Sequence, residues 1–271
     1  RMLYHAENYS LAPEYDQYGM VIESTLGRED PWHVRVAVAR AIEASAPSFR
    51  AADVVPFFVF ALQPGTALSD RHEAVRHAML EASSAVIDAR GDDVLSELLS
   101  QLEASLESEH DAVTEAAVVL LGRAARYLPA DSAHVRRVVE RLLSALRTPS
   151  ELVQEAVASC LPALVRASAA AKDVPSIVDR LFVDLLHGDK YATRRGAAYG
   201  LAGVVKGRGV SAIRELRILA RLSEAAHDTS TTTTRQGALF AYELLASTLH
   251  VLLEPYVDGI LADLLLCFGD T

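Results

Sequence analysis

Three stretches of the chain hold residue types whose spacing could do chemistry. His72-Glu73 followed by His77 suggests a zinc-protease helix, in which two imidazoles grip the metal and the glutamate acts as base. That arrangement needs histidines at i and i+4, and the second stands at i+5, on a different face of a helix. A surface pair is the reading. Gly207-Arg208-Gly209 with Ala212 mimics part of a dinucleotide fingerprint, but such a loop must follow a strand inside a βαβ unit, and no strand pattern precedes it. No G-x-x-x-x-G-K-[ST] phosphate loop occurs. His5, His33, His110, His134, His187, His227 and His250 are scattered, and no nucleophile–base–acid set is visible. Cys160 and Cys267 lack metal-type spacing and read as reduced, small apolar fillers. No enzyme, cofactor, metal or small-molecule substrate is expected.

The third stretch is defined by charge. The chain carries a net charge of −10, which argues against coating by nucleic acid and for no DNA partner. The acidity is unevenly placed. Residues 88–115 hold Asp88, Asp92, Asp93, Glu97, Glu103, Glu107, Glu109, Asp111 and Glu115 against Arg90 alone, a solvated helix face. Residues 188–222 hold Lys190, Arg194, Arg195, Lys206, Arg208, Arg214, Arg217 and Arg221 against Asp189 and Glu215. Arg214, Arg217 and Arg221 recur at helical spacing and are expected to share a face. A basic stripe of this kind can hold a phosphate backbone by charge and counterion release, or meet an acidic protein surface. These eight cations are the candidate contact residues.

The elements that carry them follow from an internal repeat. One four-residue column recurs as V34-R-V-A, V75-R-H-A, V113-T-E-A, V153-Q-E-A, T193-R-R-G and T234-R-Q-G, with starts 41, 38, 40, 40 and 41 residues apart. The first residue is β-branched and the fourth is Ala or Gly, as close helix contact demands. Before the column the apolar residues keep a three-to-four spacing, as in Val135, Val138, Val139, Leu142, Leu143 and Leu146; after it the chain is more uniformly small and apolar. Pro31, Pro149 and Gly188-Asp189 punctuate the turns. DTSTTTTR, Asp228 to Arg235, reads as a polar inter-helix loop. Half the residues are hydrophobic (51%) but only 6% are aromatic, a mix suited to helices packed through small side chains. A period near forty made of two helices resembles the HEAT repeat. The expected fold is therefore all-α: a HEAT-repeat solenoid of about six stacked antiparallel helix pairs with a right-handed superhelix. It runs as one array over 1–271, with approximate repeats at 12–48, 52–89, 92–129, 133–170, 174–209 and 210–253 and a partial one at 254–271. Arg35, Arg76, Arg194 and Arg235, in the second column position, are expected to pair with acidic residues of neighbouring turns, a ladder that Thr114 and Gln154 interrupt. The longest uncharged run, Val54 to Ser69, is too short to cross a bilayer and is broken by Pro56, Pro64 and Gly65, so no membrane is expected. The opening RMLYHAENYS lacks a signal-peptide core, and the chain is expected to be a fragment of a longer cytoplasmic protein.

KYATRRGAAYGLAGVVKGRGVSAI, with RQGALFAYELLASTLHVLLEPYV and ILADLLLCFGD after it, resembles one family closely. It is that of the giant HEAT-repeat translational activators of the general amino-acid control pathway, which activate the kinase of initiation factor two. The close match spans Leu185 to Asp270; residues 1–184 match as HEAT repeats in plausible register. The resemblance implies a scaffold that binds stalled or collided ribosomes, through ribosomal RNA or ribosomal proteins, and serves the amino-acid starvation response with kinase-pathway proteins. It further implies that this segment begins the region related to elongation factor three, and that the kinase-docking site lies outside it. Lys190, Arg194, Arg195, Lys206 and Arg208 fall within the matching string. A transport receptor would show repeated Trp rows, and the chain has only Trp32; a phosphatase-type scaffold would not need the basic stripe.

Overall fold

The structure is a computed structural model that describes residues 17, 18, 20, 30–129, 133–166 and 172–267. His5 and the first helix of the repeat placed at 12–48 lie outside the described residues. Among the described residues the regular elements are all helices, joined by short turns, without strands. The helices are α1 (Trp32–Ser45), α2 (Ala51–Ala61), α3 (Glu73–Arg90), α4 (Leu95–Ser105), α5 (Asp111–Ala124), α6 (Ala133–Ala145) and α7 (Glu151–Arg166). They continue as α8 (Val174–His187), α9 (Tyr191–Arg208), α10 (Ser211–Glu215), α11 (Ile218–Ala226), α12 (Thr232–Leu249) and α13 (Val257–Cys267). The column opens α1, α3, α5, α7, α9 and α12, so these are the second helices of the pairs. The HEAT architecture is as the period implies.

Contacts gather the chain into two compact units, residues 1–101 and 102–271, with the boundary inside α4. In the first, α1 packs along α3, and Val54, Phe58, Val75, Met79, Val86 and Ile87 form the core. In the second, α5, α7, α9 and α12 pack side by side in that order, and α6, α8 and α11 form the other layer. The pattern read before the fourth column is a core stripe: Val135, Val138, Val139, Leu142, Leu143 and Leu146 are all buried. Each such burial stabilises by roughly 1.5–3 kcal/mol.

The column helices approach their neighbours in both layers through missing side chains. A Cβ on Gly196 would stand 1.8 Å from the Leu146 carbonyl oxygen, and one on Gly237 2.1 Å from that of Leu185. Gly203 and Gly207 bring α9 close to Ala158 and Pro162 of α7, at 2.7 and 2.8 Å from a hypothetical Cβ. Gly203 and Gly207 lie on one face of α9, so its C-terminal half meets the backbone of α7, while Gly196 and Gly237 press on the C-terminal end of α6 and on α8. The small fourth residue of the column is thus a steric requirement.

The other layer is joined differently. Arg141 of α6 pairs with Glu107 at 2.9 Å, Arg180 of α8 with Glu140 of α6, and Arg221 of α11 with Asp179 of α8 at 2.8 Å. Arg136 reaches forward to Asp173 at 2.8 Å and Arg147 to Asp184 at 3.0 Å. These are surface ion pairs between consecutive repeats, worth about 0–1 kcal/mol each.

The second column position does a job that the expected ladder only partly describes. Arg35, 2% exposed, binds the Asp30 carboxylate and reaches Asp70 of the next turn at 2.8 Å. Elsewhere the side chain donates to a turn carbonyl six or seven residues back. Arg76 donates to Asp70, Thr114 to Ser108, Gln154 to Thr148, Arg194 to Gly188 and Arg235 to Asp228. Turn carbonyls have no helical partner and need one. Gln154 also donates to Leu146 and Ala192, so it continues the series where the sequence suggested an interruption.

The stretch Thr232–Leu265 contains eighteen consecutive residues of mean hydropathy 1.2, long and apolar enough to cross a membrane by composition. It is two elements: α12 ends at Leu249, His250 turns the chain with φ 48°, and Pro255 lies before α13. Ala238, Ala241, Tyr242 and Leu245 of α12 are buried among neighbouring helices.

Candidate functional site

The eight candidate cations divide into committed and free groups. Arg194, in the second turn of α9, is 6% exposed; it donates to the Gly188 and Asp189 carbonyls and to Gln236 of the next repeat. Arg195 is half-buried. It binds Glu151 at 3.1 Å, Gln154 at 3.0 Å and the Pro149 carbonyl, and lies 5.5 Å from the Tyr191 ring centre. Tyr199 donates to the same Glu151 at 2.9 Å; burial and then that hydrogen bond push its phenol up to about 12. Arg221 spans Asp179 and the face of Phe182, 3.7 Å from its centre. These three arginines hold one repeat to the next.

Lys190, Lys206, Arg208 and Arg214 are exposed and form no hydrogen bond or ion pair through their side chains among the described residues. Arg214 leans over the Tyr256 ring at 5.8 Å. Arg217 is 74% exposed and touches Glu224 at 3.7 Å, a contact worth little in water. The expectation that Arg214, Arg217 and Arg221 share a helix face is corrected. Leu216 and Arg217 break the chain between α10 and α11, with Arg217 in the left-handed region at φ 52°.

Position separates the free group further. Lys190 stands at the N-terminal end of α9, and Lys206 and Arg208 at its other end, about 24 Å away at 1.5 Å per residue. Lys206, Arg208, Arg214 and Arg217 therefore gather where one helix pair hands over to the next. Lys190 sits at the turn within a pair. The stripe is one cluster and one outlier.

Two cations that the charge count passed over complete the picture. Arg126, in the short 3-10 turn after α5, and Arg166, the last residue of α7, are exposed and carry no side-chain partner among the described residues. Arg126, Arg166 and Lys206 each stand ten residues after the small residue of their column: Ala116, Ala156 and Gly196. The repeat period itself was the available signal, since the three are forty residues apart.

Among the described residues no catalytic constellation accompanies them. His72 is stacked face to face on Trp32 at 4.4 Å, and His77 points to Glu81 at 3.4 Å, so the two histidines do not converge. Among the described residues no group of three His, Cys, Asp or Glu could hold a metal ion. The glycines at 207 and 209 end a packed helix, Gly209 with φ 89° at its C-terminus. The loop expected over DTSTTTTR is shorter than read: Asp228–Thr231 form the turn and Thr232–Arg235 already belong to α12; Ser230 and Thr231 donate to Asp228, and Thr231 meets Thr234 at 2.6 Å.

Comparison with known proteins fits this architecture. The family described as "Stalled ribosome sensor GCN1, HEAT repeats" matches residues 1–126, and "EF3 N-terminal HEAT repeat" matches residues 194–271. "Stalled ribosome sensor GCN1" of Homo sapiens is 40% identical over 273 residues, which cover 99% of this chain and 10% of that protein. "eIF-2-alpha kinase activator GCN1" of Saccharomyces cerevisiae is 36% identical over 264 residues, covering 96% and 10%. "Protein ILITYHIA" of Arabidopsis thaliana is 38% identical over 245 residues, covering 88% and 9%. The chain thus spans about a tenth of the length of these relatives. The similarity reaches the first 184 residues as well, where the motifs alone had shown only repeat likeness.

Proposed function

Because the chain belongs to the GCN1 family of HEAT-repeat proteins, we propose that it is a scaffold segment of a cytoplasmic ribosome-sensing regulator. It binds stalled or collided ribosomes and helps activate the kinase of initiation factor two, together with kinase-pathway proteins. It works by binding rather than catalysis and needs no cofactor. The observation that carries the reading is identity along nearly the whole chain to a protein named a stalled ribosome sensor. The unpaired cations Lys206, Arg208 and Arg214, in a chain of net charge −10, support it, because exposed charge without a partner is free to meet one. Lys190 belongs to the same free set; Arg194, Arg195 and Arg221 contribute by holding the repeats in place. The column period does not change across the boundary between the two units, which supports one continuous array of about six repeats over 1–271.

Co-sedimentation tests the reading. The chain should pellet with purified ribosomes, and K206E, R208E and R214E together should release it in a salt-sensitive way while the helical circular dichroism is unchanged. Sedimentation indifferent to both the substitutions and salt would point to a protein–protein scaffold without ribosome binding.

A further inference from the structure

The free cations form a row whose spacing is set by the fold. Arg126, Arg166 and Lys206 occupy the same register at the C-terminal ends of α5, α7 and α9, three column helices packed in succession. Packed helices lie about 8–10 Å apart, so the three charges span roughly 16–20 Å along one edge of the unit. Arg208 and Arg214 thicken the row at its third step. The helix macrodipole favours a cation at each of these ends, by about 0.3–1 kcal/mol. Arg214 likewise lies in the last turn of a helix, the five-residue α10.

The opposite edge has the reverse character. The turns that lead into the column helices carry Glu107, Glu109, Asp111, Glu151, Asp189 and Asp228. Lys190 is alone among these acids with a free side chain, since Arg147 and Arg195 are bound to Asp184 and Glu151. On the basic edge the acidic groups among the described residues are Asp173, already paired with Arg136, together with Glu215, Glu224, Glu254 and Asp258. Each repeat from the third to the fifth therefore places positive charge at one end and negative charge at the other.

We infer that this edge is a binding surface for the phosphate backbone of RNA, with Arg126, Arg166 and Lys206 as its successive contacts and Arg208 and Arg214 reinforcing the last. The inference rests on the ribosome-binding reading for its setting and names the chemistry of the contact. A polyanion offers charge continuously, about one per 1.7 Å of axis for a duplex, so cations at helix-pair spacing each find a phosphate whatever the sequence. A protein partner would ordinarily want apolar anchors in the middle of the patch. Among the described residues of the second unit the exposed large apolar side chains are Leu152, Val183 and Tyr191, and, beyond α12, Val251, Leu252, Val257, Leu261 and Leu265. Leu152 and Tyr191 open α7 and α9 at the acidic edge, and Val183 lies within α8. From Arg126 to Lys206 the described edge has charge without an exposed apolar centre, which suits a backbone rather than a protein core; the exposed Val251 and Leu252 come only one helix further on, after α12.

The test uses the 271-residue chain and a fluorescein-labelled 20-base-pair RNA duplex, with affinity read by anisotropy between 50 and 200 mM salt. R126Q, R166Q and K206Q replace exposed, unpaired side chains, and an unchanged thermal melt shows that the fold is intact. Each should lower the slope of log affinity against log salt by about 0.9, and the triple variant by about 2.7. Across that fourfold salt range the wild type should therefore gain about 40-fold more affinity than the triple variant. K190Q, at the acidic edge, should leave the slope unchanged. A slope unaffected by the triple variant, or lowered as much by K190Q, overturns the inference. So does a triple variant that keeps its RNA affinity but loses binding to a labelled polyglutamate peptide, which would make the edge an acidic-protein site. Ribosome co-sedimentation of the same variants separates the two readings: ribosome binding without duplex binding sinks the RNA edge and leaves the scaffold function standing. Duplex binding without ribosome binding does the reverse.

Discussion

Gly196→Ala is the sharpest probe of the column. The added methyl would stand 1.8 Å from the Leu146 carbonyl oxygen and 2.8 Å from its carbon, whereas ordinary contact begins near 3.4 Å. The neighbours are backbone at the end of a packed helix pair, so no side chain can swing aside. The start of α9 must retreat by more than an ångström or Leu146 must give way. Overpacking of this kind costs about 1–3 kcal/mol. The same carbonyl accepts from Gln154 at 3.1 Å, and disturbing that bond adds about 0.5–1.5 kcal/mol. Alanine returns about 1 kcal/mol through helix propensity. The net loss is then about 0.5–3.5 kcal/mol, which for a unit of this size lowers the melting temperature by about 1–14 °C. Circular dichroism melts of the variant beside Gly259→Ala give the comparison. Gly259 lies in α13 with nothing within 4 Å of a hypothetical Cβ, so its alanine should be neutral or stabilising by up to about 1 kcal/mol. If Gly196→Ala melts at or above the wild type, the close-approach account of the fourth column position is wrong.

Other perturbations follow from single residues. Arg35→Leu leaves Asp70, 5% exposed, without its buried guanidinium and should destabilise the first unit by about 3–5 kcal/mol, read by urea titration of Trp32 fluorescence. Hydrogen bonds from Arg35, and then from Arg71, hold the Asp30 carboxyl well below the usual carboxylate range. Its folded pKa lies below its unfolded one, so its contribution is present above about pH 4 and lost as pH falls below that. Asp30→Asn should flatten the acid limb of the Trp32 unfolding profile, and an unchanged limb would show that Asp30 is not the group titrating. Burial pushes the Cys160 thiol up to about 11, so near pH 8 only about one molecule in a thousand carries the reactive thiolate. Alkylation at the Cys160 peptide should be slow in the folded chain and rise steeply in urea; equal rates would refute the burial.

How much of this the sequence could say depended on whether a feature repeats. The column was legible because packing imposes the same small residue at Gly196 and Gly237 and the same turn-binding side chain at Arg194 and Arg235. Gln154 was misjudged because its chemistry differs from arginine while its geometry serves the same carbonyls. The bend at Arg217 was invisible: its left-handed backbone has no glycine to announce it, and Arg214 and Arg221 looked like turns of one helix. Ion pairs between the first helices, such as Arg141 with Glu107, were also hidden, since their partners lie a full repeat apart and vary in position. Arg126 and Arg166 were passed over because a local charge count favours crowded cations. They are isolated in the sequence and aligned only by the stacking of helices.

The two layers of the second unit are fastened by different forces, and that sets how it yields under load. Where α7 meets α9 the backbones touch through glycines, and such a seam resists both compression and sliding, because displacement of even a fraction of an ångström is a clash. Where α6, α8 and α11 face one another the rungs are Arg180–Glu140 and Arg221–Asp179, long side chains in water that stretch cheaply and weaken over a Debye length of about 8 Å in physiological salt. A force applied to this unit is met by a stiff spine on one side and a soft, electrolyte-tuned spring on the other. Flexing is therefore cheapest about the glycine seam, with the arginine rungs lengthening and closing, and the ionic strength of the surroundings sets the spring constant.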